Sequence, residues 1–244
     1  MNLEYDMDTD LKLTYFRKSA MAIAIREAGQ SFSNSCFDKA FVNEVTVLKI
    51  LSGQEGFPCL YGVTSQLNVT LPAIVKGFIG NPSVARYLTL SEPIKLCQST
   101  LLPLAKDADW ICVSLFISRI IERLHHHGFT LGNTQEDQFA LDINRLDRFQ
   151  SGQLSAFLLD SGFIQPMPSH THHSDESHSS AKEIDIASFG KIIFNIGRAR
   201  KVPVLRALGE MCMNKDSKKR PLLGEVINFI EKAYALQVLN GSIT

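Results

Sequence analysis

Glu183-Ile-Asp185-Ile-Ala-Ser-Phe-Gly190 opens a run, Ile184–Ile196, that is apolar on nearly every side. A helix with no polar face belongs inside a core. Asp185 stands at its head, where a carboxylate can cap the helix and accept backbone hydrogen bonds from a neighbouring loop. Downstream, Val202–Met213 and Leu222–Leu239 have the apolar period of two amphipathic helices, with Pro221 where a first helical turn tolerates proline. Between them lies Cys212-Met-Asn-Lys-Asp216-Ser-Lys-Lys-Arg220-Pro221, in which Arg220 is either a buried structural cation or part of a solvated basic cluster. Upstream, residues 165–183 are polar and rich in Ser and His, which reads as a loop. Further back, Trp110, Val113, Ile117, Ile120, Ile121 and Leu124 make one face of a helix that begins near Asp107 or Asp109 and stops at Gly128.

The composition fits a folded chain. Of 244 residues, 45% are apolar and 20% charged, so wholesale disorder is excluded. Lys and Arg number 25, as do Asp and Glu, which argues against a duplex-coating nucleic-acid binder. Five scattered cysteines without a Cys-x-x-Cys pair fit a reducing compartment and carry no zinc signature. The acidic N-terminus has no apolar signal-peptide core, and the stretch Trp110–Ile121 is too short to span a bilayer. A cytoplasmic location is expected. Asn68-Val-Thr and Asn240-Gly-Ser match the glycosylation sequon, which such a chain would not use.

The first third reads as strand, helix, strands. Lys12–Phe16 and Met21–Glu27 are β-like, and a helix from Ser35, with Asp38 in a capping-box position, carries Phe37, Phe41, Leu48 and Leu51 at helical spacing. Gly53 is its expected stop, and Cys59–Val63, Val69–Leu71 and Ala73–Phe78 follow as short strands. Gly77, Gly80, Asn81 and Pro82 mark a hinge. Phe139–Asp142 and Leu154–Leu159 are expected as strands in the second part. The plan is α+β with two lobes: residues 1–80, small and β-rich with one helix, and residues 81–244, larger and mostly helical.

Three constellations carry chemistry. Glu44 falls on the apolar stripe of the first helix, where a carboxylate is costly unless paired. Arg26, ending an apolar strand, is the candidate cation; otherwise Glu44 reaches solvent at the stripe's edge. Phe157-Leu-Leu-Asp160-Ser-Gly162 is an apolar strand ending in an acid, with Gly162 permitting an unusual turn. Asp160 either projects into a cleft and holds magnesium, or belongs to an ordinary turn. His170, His172, His173 and His178, with Asp175 and Glu176 between, offer transition-metal donors at a spacing that is no known structural-zinc pattern. His125–His127, at a helix end, are expected to face the helix dipole or solvent.

Taken in order, these pieces resemble the protein kinase family over nearly the whole chain, in a form closest to tyrosine-kinase and tyrosine-kinase-like members. Ile23-Ala-Ile-Arg26 is similar to the strand motif Val-Ala-Ile-Lys, and Phe41-Val-Asn-Glu44-Val to the helix that supplies the ion-pair Glu. Leu124-His-His-His-Gly-Phe looks like the helix end before the catalytic loop. Asp160-Ser-Gly162 is similar to Asp-Phe-Gly, and Asp185…Gly190 and Cys212…Asp216…Arg220-Pro221 resemble two late motifs.

The departures bear on function. Leu131-Gly-Asn-Thr-Gln-Glu-Asp-Gln138 aligns with His-Arg-Asp-Leu-Lys-x-x-Asn. Asn133 then occupies the position of the catalytic Asp, Gln135 that of the Lys, and Gln138 that of the metal-ligating Asn. An amide cannot accept the substrate's proton. Asp137, four residues on, is a poor substitute base for in-line transfer. Arg26 replaces the strand Lys and has a different shape for reaching phosphates. No Gly-rich loop precedes it, and no Ala-Pro-Glu precedes Asp185. From Asn133 to Asp160 is 27 positions, longer than the family's usual gap, as an extended hairpin around Asn144–Gln153 would make it.

The resemblance therefore implies a catalytically impaired member, a pseudokinase, acting as a scaffold or allosteric module for a protein partner such as another kinase or signalling protein. This reading needs no cofactor. The alternative is a divergent ATP-dependent protein kinase with Asp160 holding magnesium and with Arg26, Glu44, Gln138 and Gly162 around the nucleotide. A third reading, a metal-responsive domain, rests on the histidines of 170–178. Neither nucleic acid nor a membrane span is expected.

Overall fold

In the computed structural model the residues described are 11–16, 21–27, 34–64, 73–79, 88–95, 106–132, 134–141, 154–159, 161, 164–167 and 175–241. Short apolar runs bounded by turn residues make the first layer. Strands β1 (Leu11–Phe16), β2 (Met21–Glu27), β3 (Leu60–Thr64) and β4 (Ala73–Gly77) form an antiparallel sheet in the order β1-β2-β4-β3. The register sets Arg26 across from Ile74 and Ala24 across from Lys76. Helix α1 (Asn34–Leu51) lies between β2 and β3 in the chain and buries Glu44, Val47, Leu48 and Leu51, spaced as one helical face. It ends as expected near Gly53, whose φ of +71° suits glycine. The expected strand at Val69–Leu71, and Gly80, Asn81 and Pro82, lie outside the described residues.

The helical part is organised around α3 (Asp107–His126), which buries Trp110, Val113, Ile117, Ile120, Ile121 and Leu124. Polar groups inside it find partners in the helix itself: Ser114 Oγ donates to the Trp110 carbonyl at 2.9 Å and Ser118 Oγ to that of Leu115 at 2.8 Å. Around α3 pack α4 (Asp175–Arg200) and α6 (Leu223–Gly241), and α5 (Pro203–Cys212) packs on α4. The short helix α2 (Ser91–Lys95) is held by Arg200, which donates to the Pro93 carbonyl at 2.8 Å and lies 4.6 Å from the Trp110 ring centroid. Strands β5 (Leu88–Thr89), β7 (Phe139–Leu141) and β8 (Ala156–Leu158) make a small antiparallel sheet. Strands β6 (Phe129–Thr130) and β9 (Gln165–Pro166) pair separately. The class is α+β, with small antiparallel sheets. No described helix is long and apolar enough to cross a membrane.

Two expectations need correction. Residues 175–183 are not loop: they are the first turns of α4. Once Ile186, Phe189 and Ile193 are buried, each added residue gains a hydrogen bond without a new nucleation cost, so a polar run can extend the helix. The proline in a first helical turn is Pro203, on α5; Pro221 precedes α6 by two residues.

Helices α4 and α5 touch backbone to backbone. A Cβ on Gly209 would stand 2.6 Å from the Gly190 carbonyl oxygen and 2.7 Å from Phe194. Gly209→Ala is therefore expected to destabilise the chain by about 1–3 kcal/mol despite alanine's better helix propensity. An unchanged denaturation midpoint would contradict so close a crossing.

Asp109, in the first turn of α3, is buried. Its Oδ2 accepts from the Lys106 N–H at 2.8 Å, while Oδ1 has no hydrogen-bond partner. Burial raises its pKa, against the smaller opposing pull of the Lys106 N–H and charge. The folded state thus holds this proton more tightly than the unfolded chain. The residue's contribution is full below the unfolded carboxylate pKa and is lost as pH rises through the folded value. Wild type should gain on Asp109→Asn as the pH falls from 7 to below about 4. Denaturant midpoints with parallel pH profiles would rule this out.

Candidate functional site

The site begins with one lysine in an apolar strand. On β4, Ile74 and Lys76 share a face, and both are buried. Lys76 Nζ donates to Glu44 Oε1 at 2.6 Å and to the Leu159 carbonyl at 2.8 Å. Glu44 is 1% exposed and Lys76 7%, so both charges have left bulk water. Such a pair persists only with close geometry and further hydrogen bonds, which the Leu159 carbonyl supplies. Leu159 directly precedes Asp160, and its own N–H donates to the Gln138 carbonyl at 2.8 Å. One ammonium therefore joins α1, the four-stranded sheet and the segment following β8.

The sequence pointed to Arg26 as the cation for Glu44. Among the described side chains, Glu44 pairs with Lys76, from the adjacent strand. The Arg26 backbone lies in β2, two positions from the one facing Lys76; its side chain lies outside the described residues. Lys76 was missed although a signal existed: it is the single charge within Ala73-Ile-Val-Lys76-Gly.

A second cluster surrounds Asp185, which is fully buried. Its Oδ1 accepts from the Gly132 N–H at 2.6 Å, and its Oδ2 from the Leu131 N–H at 3.0 Å. His125 Nε2 lies 2.8 Å from the same Oδ2. Gly132 has a φ of +72°, a conformation that glycine adopts without strain, and this turns both N–H groups inward. The Gly132 carbonyl in turn accepts from the Thr134 N–H at 3.0 Å and from Ser188 Oγ at 3.3 Å. The loop is pinned on both sides of position 133. His125 was expected to face the dipole or solvent; it turns to Asp185 instead, while His126 and His127 are exposed.

The next residues form a 3₁₀ turn, Glu136–Gln138. Gln135 is exposed, and its N–H donates to Gln138 Oε1 at 3.0 Å, so the amide oxygen of Gln138 serves the turn. Glu136 Oε1 accepts from Asn195 Nδ2 at 2.7 Å, docking the turn on α4. Asp137 is exposed. Arg220 is half-buried: its Nε donates to the Asn214 carbonyl at 2.8 Å and its Nη1 to that of Glu183 at 3.0 Å, clipping the α5–α6 connection to α4. Asp216 caps the 3₁₀ turn Ser217–Lys219 through the Lys218 N–H.

Asn133, Asp160, Gly162, His170, His172 and His173 lie outside the described residues, as does the side chain of His178. Among the described residues no three His, Cys, Asp or Glu side chains are grouped to hold a metal ion. No known family model matches the chain, and no curated protein matches it either.

Proposed function

We propose that this chain is a catalytically impaired protein kinase-like domain, a pseudokinase, that works as a scaffold or allosteric module for a protein partner. Its small lobe is residues 1–80 and its large lobe 81–244. The observation that carries this reading is the buried Asp185 carboxylate holding the Leu131 and Gly132 N–H groups. An ordered loop is thus presented where the resemblance puts catalysis, and the next residue, Asn133, is an amide in place of a base. The Lys76–Glu44 pair, reaching the Leu159 carbonyl, adds support, because it ties the relative placement of the two lobes to one ion pair. A partner that prefers one placement would shift that equilibrium and be read by it.

The test is a phosphorylation assay of the purified chain with ATP, magnesium and a mixed-peptide acceptor, beside a thermal-shift series with the same nucleotide. No transfer is expected, and Asp160→Ala should change nothing in the assay. Turnover that Asp160→Ala abolishes would replace this reading with that of a divergent phosphotransferase. A thermal shift without turnover would make the module a nucleotide-sensing one.

A further inference from the structure

A cavity of about 500 Å³ opens between the α1–β3 loop, the end of β4, α3 and the start of β8. It shares none of the residues Glu44, Lys76, Leu159 or Asp185. Five aromatic rings line it: Phe57, Tyr61, Phe78, Phe116 and Phe157. Among its described lining residues one is charged, Glu55, and it is taken up by Arg123, whose Nη2 donates to Glu55 Oε2 at 2.6 Å. Ser155 also lines it, is 3% exposed, and has an Oγ without a hydrogen-bond partner. A buried hydroxyl left unpaired is costly, so a ligand able to pair with it gains more than one that cannot.

The walls are held in place. Arg123 Nη1 donates to the Glu55 carbonyl at 2.7 Å, the Leu158 N–H to that of Gly56 at 2.9 Å, and the Gly77 N–H to that of Cys59 at 2.8 Å. A preformed cavity spares its ligand the cost of ordering the loop. The volume is that of a small-molecule site. Aromatic walls suit an arene, and the absence of an unpaired charge among the described lining residues suits a neutral one.

We propose that this cavity binds a small neutral aromatic molecule bearing one hydroxyl, the ring packed among the phenylalanines and the hydroxyl paired with Ser155. Cys59 provides the readout, since it lines the cavity and is exposed. Cys112 and Cys212 are buried, and burial pushes their thiols up to about 11 and about 12, so they compete poorly for an alkylating agent.

The experiment measures Cys59 alkylation of the full chain by iodoacetamide, by peptide mass mapping, with and without 4-ethylphenol. Saturable slowing of about five-fold or more is expected at high occupancy. Ethylbenzene should need about three-fold or more higher concentration for the same protection, and Ser155→Ala should erase that difference. Unchanged Cys59 reactivity in 4-ethylphenol, or equal protection by ethylammonium, would overturn the proposal in the wild-type chain, whatever the fate of the variant.

Discussion

Replacing Lys76 with methionine is expected to lower the unfolding free energy by about 3–5 kcal/mol. The side chain that leaves is the ammonium at 2.6 Å from Glu44 Oε1, and Glu44 is 1% exposed. What remains is a carboxylate that water cannot reach and that has lost a charged partner. The loss should be far larger than the ~0–1 kcal/mol of a surface pair. The double variant Lys76→Met with Glu44→Leu should recover most of it, because two apolar side chains of similar volume replace two buried charges. Urea unfolding of the four proteins completes the cycle and isolates the coupling. Additive single losses below about 1 kcal/mol would mean that the pair is solvated. The variants should also loosen the link between the sheet and the segment after β8, since the Leu159 carbonyl loses its donor at the same time.

Asp185→Ala is expected to be as damaging, about 3–5 kcal/mol, because three donors lose a fully buried acceptor together. Asp185→Asn should cost less. Its one oxygen can still serve an N–H, but its amide must face a donor. Hydrogen exchange separates a local effect from a general one. The Leu131 and Gly132 amides should lose protection in the Asn variant while the amides of α3 around Ile117 and Ile120 keep theirs. Uniform loss of protection would assign Asp185 to global stability and remove the loop-positioning role.

Much of this was written in local chemistry. The stripe Val113, Ile117, Ile120, Ile121 and Leu124 specifies α3 through its period, and α1 and α6 are legible the same way. Asp185 could be picked out as an acid beside an apolar run that accepts backbone hydrogen bonds from a neighbouring loop, but it is no cap: α4 begins ten residues earlier, so Asp185 lies inside the helix. The start of α4 was not legible, since Asp175-Glu-Ser-His-Ser-Ser has the composition of a loop and is helical by extension from a buried nucleus. His125 was not legible either. Three consecutive histidines look alike in the chain, and only the one whose ring meets Asp185, 60 residues away, is taken inward.

The amino-acid sequence by itself marked most of the helices and the longer strands and singled out Glu44 and Asp185 as acids set among apolar residues, because periodicity is a local property. Tertiary structure alone decided who neutralises them. Arg26 and Lys76 belong to hydrogen-bonded neighbouring strands. Such strands are only about 4.8 Å apart. Which cation stands 2.6 Å from Glu44 depends on where α1 crosses the sheet, and that is set by how the helix packs, through contacts distant in the chain.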